Sequence, residues 1–201
     1  GAGGGAEGGR ERGPAGAEAA VPQATTSGCP ARLTPDTLRS MSPSRPIEAP
    51  GAGLLSMWNR CHGLPFGAAL FGVILSNTVP YSGTIGARVI ELAPGRARIA
   101  LRDRRAVRNH LGSVHAVALA NLGELTSGLA LTVALPAGTR AIVLSLGTEY
   151  PKKARGTITA TSDVTLPPIA VETEHLVHAE LRDEANEVVA HTTVRWRIGP
   201  A

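Results

Sequence analysis

Between Asn109 and Arg140 the chain carries one formally charged residue, Glu124. From Ser113 to about Leu135 this stretch has the periodicity of a helix, with Val114, Val117, Leu122, Leu125, Leu129 and Val133 as its apolar stripe. Ala116, Leu119, Ala120 and Gly123 leave little polar surface on the other sides. A helix that is apolar nearly all round has to be buried. Ser113 is placed to cap its start, and Pro136-Ala137-Gly138 to end it. The rest of the domain must therefore wrap a central helix over 113–135.

The flanking segments supply the wrapping. Thr84–Leu92 and Gly95–Leu101 read as strands joined at Pro94-Gly95, a hairpin; in the second, Ala97, Ile99 and Leu101 alternate with Arg96, Arg98 and Ala100. After the helix, Arg140–Tyr150, Gly156–Val164, Val171–Leu181 and Glu187–Ile198 all have strand character. In the last, Val188, Ala190, Thr192, Val194, Trp196 and Ile198 share one face, and Asp183–Asn186 turns it back on its predecessor. Leu54–Leu75 precedes them as one or two helical pieces, the second starting at Pro65, within an N-terminal helical segment over 51–78. This order predicts an α+β domain: a mainly antiparallel sheet of about five to six strands around the long helix, with an extra N-terminal helix.

Residues 1–50 are different. They hold 9 of the 24 glycines, 7 of the 15 prolines and no aromatic residue. Such a segment buries too little apolar surface to offset its ordering entropy and is expected to be a disordered tail. The domain is then 51–201. The tail balances five arginines with five acids, unlike a mitochondrial transit peptide, and has no hydrophobic signal core. Two cysteines, Cys29 and Cys61, fit a reducing compartment, so a cytoplasmic location is expected.

The net charge of +4 suits an anionic small ligand. Nucleic acid is disfavoured, because no aromatics interleave with the arginine run Arg102, Arg104, Arg105, Arg108. Cys61-His62 and the pair His175 and His178 lack a second pair at zinc spacing, so neither metal nor cofactor is expected. Val114–Leu135 has the length of a membrane span. His115, Asn121 and Glu124 are costly in lipid, however, and stable membrane insertion is not expected.

An ionised Glu124 inside an apolar helix is costly unless partnered, and burial raises its pKa. Carboxylates so placed are functional-site candidates; a salt-bridged structural glutamate is the alternative. The helix start, Asn109-His110-Leu111-Gly112-Ser113-Val114-His115-Ala116, is the second feature. The first backbone N–H groups of a helix have no intrahelical acceptors and can bind an oxyanion, although an ordinary capped start reads the same way. Ala116 and Glu124 lie eight residues apart, roughly 12 Å along one helix. Acting together, they require two antiparallel helices, hence two protomers. Gly123 and Gly128 are expected to let such helices approach.

Asn109, Gly112 and His115, with a carboxylate nine residues after the histidine, resemble the core motif of the hotdog-fold acyl-CoA thioesterase superfamily, especially its phenylacetate-pathway branch. A subgroup with a His-Ala variant is the nearer likeness, through Pro80-Tyr81, the helix NHLGSVHAVALANLGELTSG and Glu149–Gly156. The resemblance spans Trp58–Pro200 and implies a hotdog fold, with active sites at a homodimer interface in a dimer or a dimer of dimers. It implies that the N–H after the motif histidine, here that of Ala116, polarises an acyl-CoA thioester carbonyl, while Glu124 of the partner attacks it or activates water. His115 and Asn109 complete the expected catalytic set. Gly112, Asn121, Ser127, Lys152, Lys153 and Arg155 are expected to bind substrate, the three cations through coenzyme A phosphates. Asn121, Thr126 and Ser127 stand near enough to Glu124 to orient it or a water. Ala116 and Val117 replace the family's two glycines, and this motivates a second reading, a non-catalytic hotdog module that binds acyl-CoA or acyl chains. A dehydratase is a third, but its typical His/Asp helix pair is not evident.

Overall fold

The computed structural model describes residues 48–201; the expected tail falls, over residues 1–47, outside the described residues. The chain runs through α1 (Ala52–Cys61), α2 (Gly67–Thr78), α3 (Pro80–Gly83), β1 (Arg88–Ala93), β2 (Arg96–Leu101), the long α4 (Ala116–Thr132), β3 (Thr139–Glu149), β4 (Ile158–Asp163), β5 (Thr173–Arg182) and β6 (Val188–Pro200). All six strands form one antiparallel sheet in the order β1-β2-β4-β5-β6-β3. Helix α4 lies against β2, β4, β5 and β6. A long helix wrapped by an antiparallel sheet is the hotdog fold, as the sequence predicts.

Alternation places the sheet faces. In β2, Ala97, Ile99 and Leu101 are buried toward α4; in β6, Thr192, Val194, Trp196 and Ile198 are. Arg96 on the opposite face pairs with Glu91 and Asp163. Gly95 (φ 78°) and Asn186 (φ 62°) turn the two hairpins in the left-handed region. Two apolar clusters result. The larger joins α4 to the N-terminal helices, where Trp58 meets Phe71 edge-on at 5.2 Å. The smaller gathers Leu131, Leu135, Val177, Val194, Trp196 and Ile198.

Several expectations are corrected. Helix α4 begins at Ala116, not Ser113, and ends at Thr132. Residues 113–115 cannot join it because their backbone is held elsewhere: the Val114 N–H donates to Ala154 O (2.9 Å) and the His115 N–H to Val107 O (2.8 Å). The cap is His115, whose Nδ1 accepts from the Val117 N–H at 3.1 Å. Helix α2 starts two residues after Pro65, behind Phe66 in the left-handed region (φ 62°), and the short α3 takes up what read as the approach to the first strand. That strand therefore begins at Arg88 rather than Thr84. Nor is α4 covered all round: Ala116 and Val117 are exposed, and Ala120, Glu124 and Gly128 are half-buried along the same side. Among the described residues, no helix is long and apolar enough to cross a membrane.

Gly123 does not face a partner helix. A Cβ there would stand 2.2 Å from Thr192 Oγ1 on β6, so this glycine lets α4 approach its own sheet. Gly123→Ala is expected to destabilise the fold by about 1–3 kcal/mol through overpacking, read as a lowered Tm. Strand β3, by contrast, is an edge. Ile142, Val143 and Leu146 are exposed on it. A long apolar edge is what another strand pairs with.

Candidate active site

The helix start is built by a turn. Asn109 Oδ1 accepts from the N–H groups of Leu111 (2.9 Å) and Ser113 (3.2 Å), and its Nδ2 donates to Ser113 Oγ (3.0 Å). Gly112 closes the turn at φ 68°, where a side chain is strained. The spacing of Asn109, Gly112 and His115 thus has a local cause: side-chain bonds from Asn109, a left-handed residue, then the cap. With Nδ1 of His115 accepting, a neutral ring carries its proton on Nε2. The Ala116 N–H is the first of the helix and has no intrahelical acceptor. The carbonyl of the same residue accepts from Tyr150 Oη at 2.9 Å.

Ala116 opens into a cavity of about 300 Å³, shared with Asn109, Leu111, Tyr150, Lys152 and Lys153. Lys152 is already engaged by Asp183 (2.8 Å) and Glu187. Lys153 and Arg155 are exposed with no carboxylate in ion-pair distance among the described residues. They are the cations left for a phosphate, although Arg155 lies outside the cavity lining.

Glu124 opens into a second cavity of about 360 Å³, with Tyr81, Val117, Ala120, Asn121 and Leu146. Its carboxyl is half-buried, and burial raises its pKa. It makes no ion pair among the described residues, so none of them supplies the salt bridge of the structural reading. Ser127 does not orient it; the Ser127 hydroxyl donates to the backbone carbonyl of Glu124 at 2.9 Å. Thr126 likewise bonds back to Leu122 O, at 2.7 Å. Asn121 alone of the three lines the Glu124 cavity.

One chain therefore brings Asn109, Ala116, Lys152 and Lys153 to one cavity, and Asn121 and Glu124 to another. It does not bring Ala116 to Glu124. In the sequence the two tyrosines stand only as parts of a family pattern. They are the chain's entire complement: Tyr150 lines the first cavity, and Tyr81 lines the second and a third beside His115. Scarcity was the available signal, since a chain with two tyrosines places both beside the same helix start.

Comparison with known proteins follows the geometry. Residues 67–198 match the family described as domain of unknown function DUF4442. No curated protein matches the chain in sequence. Among solved structures, a genomics-target protein is 27% identical, with a TM-score of 0.66, covering 75% of this chain and 100% of its own. A Pseudomonas aeruginosa protein described as a probable thioesterase is 24% identical (TM-score 0.58; 69% of this chain, 97% of its own). A Haemophilus influenzae thioesterase is 15% identical (TM-score 0.55; 68% and 93%).

Proposed function

We propose that this chain, which belongs to the DUF4442 family, is an acyl-CoA thioesterase whose active sites form between two copies. The carrying observation is Glu124: a half-buried carboxyl with raised pKa, alone in charge on its helix, in a mostly apolar cavity. Likeness to thioesterase structures supports the fold for such a reaction. The Ala116 N–H of one protomer polarises the thioester carbonyl, and Glu124 of the other takes the proton of an attacking water. As the water oxygen bonds to the acyl carbon, the carbonyl π pair moves onto oxygen. Collapse then breaks the C–S bond, and the departing thiolate takes the proton from Glu124. Free acid and free thiol result. Lys153 and Arg155 meet the phosphates of coenzyme A, and the exposed β3 edge pairs the protomers.

Tyr150 supports this reading from outside the reaction. Its hydroxyl holds the Ala116 carbonyl, and the N–H of that same peptide unit, on Val117, is held by His115, so both sides of the first helical turn are fixed. Tyr150→Phe is expected to cost about 1 kcal/mol of positioning, roughly fivefold in kcat, with KM little changed.

A panel of acyl-CoA esters assayed for free-thiol release tests the proposal. The exposed Val117, at a position where the thioesterase motif that the sequence resembles has glycine, favours the second reading. Saturable acyl-CoA binding without thiol release would establish the non-catalytic module in its place.

A further inference from the structure

Asn121 is the anomaly of α4. It is only 8% exposed, and its Oδ1 is sealed from solvent with no hydrogen-bond donor among the described residues. A buried amide with an orphaned oxygen is costly, and the neighbours Ala120, Leu122 and Leu125 show that apolar side chains occupy this part of the helix without that cost. Packing therefore gives no reason for an amide here. Because Oδ1 is the sealed end, Nδ2 is the end left open to the two cavities that the side chain lines, one beside His115 and one that holds Glu124. Asn121 and Glu124 stand three positions apart on α4, so they sit as neighbours on one face. One offers N–H donors, the other a carboxylate that only accepts when ionised.

We infer that Asn121 holds the hydrolytic water against Glu124. A water between them donates one O–H to the carboxylate and accepts from Asn121 Nδ2, which leaves its other lone pair directed at the acyl carbon. On attack, Glu124 takes the proton and the Asn121 bond keeps the oxygen on its line. This rests on the thioesterase reading and deepens it: Glu124 is a general base acting through water, not a nucleophile forming an anhydride.

The test compares wild type, Asn121→Ala, Asn121→Asp and Glu124→Gln in steady-state thiol release from an acyl-CoA ester the wild type hydrolyses. Each is run with and without hydroxylamine, a nucleophile strong enough to need no base. Both Asn121 variants are expected to lose about 100-fold in kcat with KM within about threefold, a loss of the size general-base assistance supplies. Hydroxylamine is expected to restore most of that loss. Asn121→Asp keeps the side-chain shape if the alanine variant fails to fold. A kcat within twofold of wild type, a loss confined to KM, or a loss that hydroxylamine does not repair would overturn the role of Asn121 while leaving Glu124 in place. Full activity in Glu124→Gln would instead overturn Glu124 as the base and with it the proposed mechanism, whereas no thiol release from any ester by the wild type would overturn the thioesterase reading itself.

Discussion

Glu124→Gln is expected to remove thiol release and, at neutral pH, to raise the Tm. The two effects have one origin. Burial lifts the carboxyl's pKa in the folded chain above its ordinary value. The folded state then binds the proton more tightly than the unfolded chain does. The stability this group supplies is fully present below the unfolded pKa and is lost as pH rises through the folded one. Toward neutral pH the wild type holds a carboxyl whose ionisation burial opposes, and glutamine, of the same shape, carries no such group. The Tm gap between the two proteins should accordingly close in acid and open toward neutrality. Catalysis runs the other way. Only the ionised carboxylate takes a proton from water, so the acid limb of the wild-type kcat profile should lie above the ordinary carboxylate range. Loss of the base is expected to cost about 100-fold to 10,000-fold in kcat. A variant that is both less stable and inactive would mean that Glu124 is structural. A variant equally active would mean that the chemistry lies elsewhere. Paired melting curves and pH–rate profiles decide.

The fold was legible because its strongest constraint is local. A segment as apolar as 116–132 admits few surroundings, and period-two alternation in the strands names the faces that cover it. Element ends were less legible. Ser113 has the chemistry of a cap, but backbone bonds from Val114 to Ala154 in the β3–β4 connection and from His115 to Val107 in the turn before the helix hold this stretch extended, and such bonds leave no trace in local sequence. The short α3 was missed for a related reason: four residues are too few to show a period. Within the site, Glu124 stood out as the single charge in an apolar run, whereas side-chain direction did not. Nothing in the sequence distinguishes a Ser127 bonded to its own helix backbone from one turned toward the carboxylate, or a Lys152 held by Asp183 from one free for phosphate. Gly123 shows the same limit. Its smallness was visible, but the surface that required it, Thr192 of its own sheet, was not.

The proposed division of the site between two chains yields the sharpest expectation. In one chain Ala116 and Glu124 open into different cavities, and eight positions of helix hold them about 12 Å apart. No thioester carbon can touch both. Ala116→Pro isolates the first half. Position 116 is the first of the helix, where proline is tolerated, and His115 before it is extended (φ −67°, ψ 138°), the conformation a following proline prefers. The substitution therefore deletes the N–H and little else. Ala116→Pro and Glu124→Gln are each expected to be inactive alone. Mixed in equal amounts and allowed to exchange subunits, they should recover activity, because in a two-fold dimer one site draws both intact halves and the other draws both defects. With random exchange half the dimers are mixed and each has one of two sites intact, giving about a quarter of wild-type activity. Ile142 and Leu146 are exposed on the β3 edge, through which the proposed pairing is expected to proceed. Charged substitutions at both positions should abolish the recovery along with the dimer, as read by sedimentation. A mixture that stays inactive despite demonstrated exchange would place both groups in service of one chain and end the shared-site mechanism.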